Sequence, residues 1–487
     1  MQKQSKPKRM IICKIKEGLI IMSERNIRTD FHLLCIGVSF IVLIMATGLP
    51  AYPKILATFD LSTGYAVWIQ LGFALGLTGF QPLLGWLSDV YSQKAVVLFG
   101  AALMAVGSTL TAITPFFWLL IVGMFAKGVA GAAIVPAGFA YVGKFFEEEQ
   151  RGKALSTFGV YSAVGAAIGP FLSGALVDTM GWEANFWFCA LLSLLSLFIF
   201  IFGVPNIQGT KEKSFDVMGV GLMFLIMASL LTIPTFINNY GLSSGIWLPS
   251  VIVFALAFLL LIIAEKKQEK PMFDMEYAAA RTFWVPAVIV VFLFLTYSGV
   301  MYLMTFFLQD VQGKSSTAVG LLQLIIFTAT ALGTYVSGKL IVKFSARLML
   351  GLSIAFVLIG AGMLALATME TSYLYLSISM IFIGSGIGLA GPTTRAIVLS
   401  NVQPSRVGVI TFTFNSIENV VQRTGASFAI MIFALFAAGG GGVQALAKTA
   451  IFFSVCCIAA SLFILFIPKK VTGFKEKKTT TMLEKAE

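Results

Sequence analysis

Uncharged apolar runs of about membrane-crossing length recur along the whole chain, and they restrict the fold more than any other feature. The run 95–143 carries one charge, Lys127, and the run 217–264 carries none. About 20 apolar residues in a helix cross the ~30 Å hydrocarbon core of a bilayer. Lipid offers no hydrogen bonds, so such runs must satisfy their own backbone groups, as helices do. Hydrophobic residues make up 58% of the 487 and charged residues 11%, against about 25% charged in soluble domains. The chain is read as an all-α polytopic membrane protein.

Fourteen transmembrane helices are expected. The first six cover 32–50, 65–87, a hairpin over 95–141 turning at Thr114-Pro115, 155–177 and 185–204. Two more come from 217–264, which is too long for one helix and is broken by the polar stretch from Asn238 to Gly245. The last six are 283–307, 318–338, 348–368, 373–394, 407–437 and 445–468. The organisation read from this is a tail (1–30), a six-helix bundle (31–204), a linker with an inserted helix pair and a charged loop (205–282), a second six-helix bundle (283–468) and a tail (469–487).

The net charge of +12 raises the question of nucleic acid, but the basic residues sit where membrane topology wants them. With both termini cytoplasmic, inner loops and tails collect most Lys and Arg, and outer loops keep only Lys54, Lys314 and Lys448. The expected setting is a multi-pass protein of the cell membrane, in contact with lipid and not nucleic acid. The N-terminus shows no signal-peptide pattern. The five cysteines have no metal or disulfide spacing.

Residues 85–94, Gly-Trp-Leu-Ser-Asp-Val-Tyr-Ser-Gln-Lys, form a polar hairpin between two spans. Gly85 is expected to let helix ends approach, Asp89 to place a carboxylate at the membrane surface and Lys94 to put positive charge at the next helix entry. Gly338, Leu340 and Arg347 repeat Gly85, Leu87 and Lys94 at a constant offset of 253. That implies two related halves, an organisation common in secondary transporters.

Gly85-x-Leu87-x-Asp89 with Lys94 resembles the loop signature of the major facilitator superfamily. Gly165-Ala-Ala-Ile-Gly169-Pro170-Phe-Leu-Ser-Gly174 is similar to the glycine-proline signature of its drug:proton antiporter branch. Arg151-Gly152-Lys153-Ala154 and Gln422-Arg423-x-Gly425-x-Ser427 also fit. The likeness covers about 31–468 and implies the major facilitator fold, in the fourteen-span form of multidrug and tetracycline exporters. Small residues at 165, 169, 173 and 174 bring a neighbouring backbone close, and Pro170 invites a bend; with the resemblance, this segment is expected to gate. Asp89 is expected at the N-terminus of the thirteenth span, where negative charge is favoured by about 0.3–1 kcal/mol.

The departures from that family pattern matter. Val90 and Gln93 replace basic residues, Ser92 replaces a glycine, and the first span has no Asp near Phe40. Met124 stands where the family has an Arg linked to proton handling, and Lys127-Gly128 replaces Gln-Gly. The polar groups left inside the membrane are therefore the candidates. Glu418 lies 12 residues past Arg406, roughly 18 Å into its helix; Arg423 lies deeper. Charges at such depth cost about 2.5–3.5 kcal/mol in lipid and face cavities or each other. Asn419 shares a face with Arg423, and Gln422 with Glu418. Glu418 is the candidate proton carrier, with Lys127 or Arg423 as its alternative structural partner; those two cations are also candidates for substrate contact. Trp68, Gln70, Gln81, Tyr161, Gln323 and Asn415 are candidate cavity residues.

No enzyme site is evident. The single histidine, His32, opens the first span, and no phosphate-binding Gly-Lys loop is present. No cofactor is expected, and a proton gradient is the expected energy source. Three readings follow: proton-driven export of drugs or other amphipathic small molecules by a monomer; transport of an anionic metabolite, lipid or nutrient with another coupling or direction; and a non-transporting membrane sensor or scaffold.

Overall fold

A computed structural model describes residues 10–15, 18–146, 148–205, 217–267, 277, 279–341, 343–400, 402 and 407–467. The C-terminal tail and the linker 206–216 lie outside the described residues. One element departs from the expected all-α chain. β1 (Met10–Ile15) and β2 (Gly18–Ser23) pair antiparallel, with Met10 opposite Ser23 and Ile15 opposite Gly18. The stretch from Met10 to Ser23 is rich in isoleucine, a residue type that strands favour.

The rest is helical: α1 (Glu24–Ala46), α2 (Tyr52–Thr58), α3 (Ala66–Val90), α4 (Gln93–Ala112), α5 (Phe117–Phe145), α6 (Glu148–Met180), α7 (Trp182–Gly203), α8 (Val217–Tyr240), α9 (Leu248–Lys267), α10 (Arg281–Phe306), α11 (Ser316–Leu340), α12 (Ala346–Ala365), α13 (Tyr373–Leu399) and α14 (Val407–Phe463). Among the described residues, 12 helical segments are long and apolar enough to cross a membrane, and Leu248–Ala264 is a shorter apolar helix. Large apolar side chains such as Leu191, Leu194, Phe198 and Phe202 stand exposed along α7, a pattern suited to lipid contact.

The helix α14 does not run straight from Val407 to Phe463. Phe414 packs 6.0 Å from Phe283, and Phe463 lies 6.1 Å from the adjacent Trp284. A straight helix would separate residues 414 and 463 by roughly 70 Å. A side chain at Gly299 would meet both Ala429 and Phe453. The chain therefore doubles back between 429 and 453, where Gly439 to Gly442 sit. Four consecutive glycines impose no side-chain restriction on such a reversal.

Two compact units result: Met1–Phe258 with Leu308–Leu324, and Leu259–Phe307 with Ile325–Glu487. In the first, α3 and α5 cross at Gly76 and Gly128, where an added Cβ would strike the backbone of the other helix. The helix α8 packs on α3 through Leu231 against Leu71 and Ala74, and through Phe236 against Trp68. In the second unit, α11 and α13 cross at Gly384, whose Cβ would strike the Ile326 carbonyl, and at Gly388 against Thr330 and Thr334.

The two halves repeat these contacts as well, at an offset of 253 on one helix of each pair and 256 on the other. Gly128 meets Phe73 in the first unit and Gly384 meets Ile326 in the second; Phe73 and Ile326 are 253 apart. Gly107 meets Gly123 and Lys127, and its counterpart Gly360 meets Ser379 and Ile383. By this equivalence Lys127 occupies the place of Ile383.

Candidate functional site

The polar hairpin is tighter than its sequence implies. The helix α3 runs to Val90 and α4 begins at Gln93. The Ala95 N–H donates to Ser92 Oγ at 3.3 Å, capping α4. Ser345 caps α12 in the same way, accepting from Leu348 N–H at 3.4 Å. Both serines satisfy an orphan donor of a helix start, and they are 253 residues apart, a repeat the sequence reading passed over. Gly85 does not mediate a close approach: a Cβ at Gly85, or at Gly338, meets nothing within 4 Å. The Asp89 side chain lies outside those described.

Lys94 reaches further than its own helix entry. Its Nζ donates to the Ile201 carbonyl at 2.6 Å, near the end of α7. Arg347 repeats this in the second unit, with Nε donating to the Ile467 carbonyl at 2.7 Å and Nη2 to Leu465 at 3.1 Å. Cations at helix C-termini complement the unpaired carbonyls there. Replacing either Lys94 or Arg347 by Met should lower stability by about 0.3–1 kcal/mol, read as a small drop in the thermal midpoint in detergent. Arg151 plays a related part, its Nε donating to the Phe146 carbonyl at 3.0 Å where α5 ends.

The glycine-proline segment of α6 meets two partners. Gly165 and Gly169 lie against the Ser39 and Leu43 carbonyls of α1. Further along, Gly174 lies against Ser316 and Thr317, and the Pro170 carbonyl against Gly320, at the start of α11. Tyr161, a cavity candidate, ties α6 to α1 instead, with its hydroxyl 3.3 Å from His32 Nδ1. Trp68 is enclosed by rings, 5.4 Å from Trp118 and 6.0 Å from Phe236. Gln70 and Gln323 are buried, and Gln81 is half-buried.

Lys127 is 2% exposed and points within the first unit onto α7, its Nζ 4.6 Å from the centre of the Phe186 ring. Cys189, on the same helix, contacts the Thr47 hydroxyl at 3.3 Å. No carboxylate bonds Lys127 among the described residues. An ammonium buried without a counter-ion costs several kcal/mol. Replacing Lys127 by Ile, the residue of the equivalent position, should therefore raise the thermal midpoint.

The charged centre of the second unit is different from the expected one. Glu418 does not pair with Lys127 or Arg423. Its Oε2 accepts from Arg395 Nη2 at 2.6 Å, joining α13 to α14. The Glu418 side chain is 9% exposed and the Arg395 side chain 49%. Glu418 Oε1 is buried with no hydrogen-bond partner among the described residues, and so is Asn415 Oδ1, one turn away on the same helix. Asn419, Gln422 and Arg423 are half-buried beside them. Arg395 falls one residue past the expected span 373–394, which makes it a cytoplasmic loop residue by sequence; α13 in fact continues to Leu399, which carries Arg395 on the helix.

The family profile described as Major Facilitator Superfamily matches residues 34–426. The chain belongs to the major facilitator superfamily. Within it, the chain is 26% identical over 395 residues to Multidrug resistance protein 3 of Bacillus subtilis, covering 80% of this chain and 75% of that one. It is 26% identical over 356 residues to the quinolone resistance protein NorB of Staphylococcus aureus, covering 72% and 75%. It is also 24% identical over 403 residues to the riboflavin transporter RibZ of Clostridioides difficile, covering 82% and 87%. Among solved structures, the POT family transporter PepTSo aligns with a TM-score of 0.67 at 15% identity over 90% of this chain and 97% of its own, which speaks to the fold alone. This superfamily member is thus a drug-exporter-like, multi-pass membrane protein.

Proposed function

We propose that this protein exports amphipathic small molecules in exchange for protons by alternating access. The chain would cross the cell membrane fourteen times, as two six-helix bundles and an inserted pair, with both termini cytoplasmic. The two crossings beyond the twelve long apolar segments would come from the doubled-back α14 and the shorter apolar helix Leu248–Ala264. The resistance proteins among its relatives favour drug-like cargo.

The observation that carries the coupling is Glu418. One oxygen is bonded to Arg395 and the other is buried without a donor. A proton on Oε1 gives that oxygen a hydrogen to donate, and Asn415 Oδ1 is an acceptor one turn away. The same proton neutralises the carboxylate and weakens its hold on Arg395. Loading a proton thus loosens the α13–α14 contact, a link between proton and conformation that coupled transport requires. Flux in everted vesicles, with and without a proton gradient and across a panel of cationic, neutral and anionic compounds, tests this reading. Export that ignores the gradient would reject it.

Anionic cargo is a second reading, favoured by Lys127, a buried cation with no described carboxylate bonded to it, and by the riboflavin transporter among the relatives. Lys127→Ile separates the two: flux of drug-like cations is expected to persist, and loss of anion flux alone would favour the second.

A further inference from the structure

Asp178 occupies a place that its own helix disfavours. It lies two residues before the end of α6, where the unpaired carbonyls of the helix terminus repel negative charge. Its partners come from elsewhere in the first unit. Oδ1 accepts the Ser316 N–H at 3.0 Å, and Oδ2 accepts the Thr317 N–H and the Thr317 hydroxyl, each at 2.6 Å. Oδ1 also meets Lys54 Nζ at 2.9 Å, and that ammonium donates in addition to the Val177 carbonyl at 3.3 Å. The carboxylate therefore caps the N-terminus of α11, reached across 138 residues of sequence.

The two helices close like a zip beneath this cap. A methyl on Gly174 would lie 2.8 Å from Thr317 Cα, and one on Gly320 would lie 2.9 Å from Phe171 Cα. Gln309 adds a second tie, donating to the Pro50 carbonyl at 3.0 Å and accepting from the Ser316 hydroxyl at 3.2 Å.

We propose that Asp178 is a latch that holds α11 against α6 at the outer end of the protein, and that its release opens the outward path. The outer assignment rests on the transport reading above and on its topology. Asp178 is repelled by its own helix terminus and accepts from Ser316 and Thr317 only when α11 is docked, so those hydrogen bonds favour one conformation and are absent from the other. That difference is what a state-selective contact requires. Lys54 keeps a link to both the carboxylate and Val177, so Asp178 is not left without a counter-ion when α11 departs. The half-buried setting and the backbone contact at Gly174 and Gly320 keep water from substituting for these bonds while the latch is shut.

The test is a distance measurement without substrate, so that its outcome does not depend on which compound is carried. Spin labels at Asp60→Cys and Lys314→Cys, in a Cys13→Ser background with the buried native cysteines kept, report the separation of the α2–α3 loop from the segment before α11. In detergent the parent is expected to show one short population. Asp178→Asn is expected to move at least a third of the molecules to a longer distance. Thr317→Val, which removes the hydroxyl that α11 donates to Oδ2, is expected to move a smaller share in the same direction, and it decides the matter where Asp178→Asn yields no folded protein. An unchanged distribution in folded variants, even with a lower thermal midpoint, would mean a merely structural cap and overturns the proposal. A shifted distribution in a protein that shows no flux would retain the latch and reject the transport reading.

Discussion

Glu418→Gln is expected to abolish proton-driven export while leaving a folded, membrane-inserted protein. Gln keeps the length and shape of Glu, and its carbonyl oxygen still accepts from Arg395. What it loses is the ability to take up a proton and, with it, to modulate the grip on Arg395. Flux under a proton gradient should fall to the level seen when an ionophore collapses the gradient, a drop of at least about 100-fold if the proton step contributes about 3 kcal/mol of driving force. Substrate binding in detergent should change little. Arg395→Met is the complementary variant. It leaves a buried carboxylate without its cation, which destabilises the protein more than Glu418→Gln does. Normal gradient-driven export by Glu418→Gln would remove Glu418 from the coupling step.

Gly128→Val should eliminate folded protein. A Cβ at Gly128 would strike the Phe73 carbonyl and sit 2.8 Å from Leu77 N; at Gly76 the reciprocal clash is 2.8 Å from Val129 N. Both obstacles are backbone, so no side-chain rotation relieves them. Overpacking of a close-packed core costs about 1–3 kcal/mol when side chains can adjust, and here whole helices must separate. Gly384→Val, the counterpart in the second unit, should fail in the same way. Gly85→Ala and Gly338→Ala are the contrast, since both sites are open; an exposed helical glycine replaced by alanine gains roughly 0.5–1 kcal/mol. The yield of monodisperse protein in size-exclusion chromatography reads all four. Good yield from Gly128→Val would show that α3 and α5 do not cross as closely as described.

The comparison of Gly85 with Gly128 shows where sequence reasoning stops. Both glycines lie in apolar helices, and nothing local tells them apart. Gly85 belongs to a recognisable motif, which implies a close approach; Gly128 belongs to a motif whose other members are replaced. The difference lies in which helix faces which, and the chain-local pattern does not encode it. The same limit hid Arg395. Its position near the end of a span suggested a loop, and the length of α13 placed it on the helix, one bond from Glu418.

Carboxylate capping of a distant helix was foreseen from sequence, but at Asp89 and the thirteenth span. The side chain of Asp89 is outside those described, and the structure shows such a cap at Asp178 instead. The stretch between Asp178 and Ser316 contains the four helices α7 to α10 among its described residues, so their meeting cannot be inferred from spacing. It depends on the backbone contacts that Gly174 and Gly320 permit.

Hydropathy along the chain is enough to specify the solvent and the element type. Long apolar runs demand a bilayer, and a bilayer demands helices, because both follow from the transfer of side chains and backbone groups out of water. The sequence also carries the 253-residue repeat, since equivalent helix entries need equivalent residues such as Lys94 and Arg347. The tertiary structure alone decided the partners: Arg395 for Glu418, the Phe186 ring for Lys127, the start of α11 for Asp178. Hydropathy is additive along the chain, whereas a hydrogen bond or ion pair depends on distances of about 3 Å between groups that only helix packing brings together.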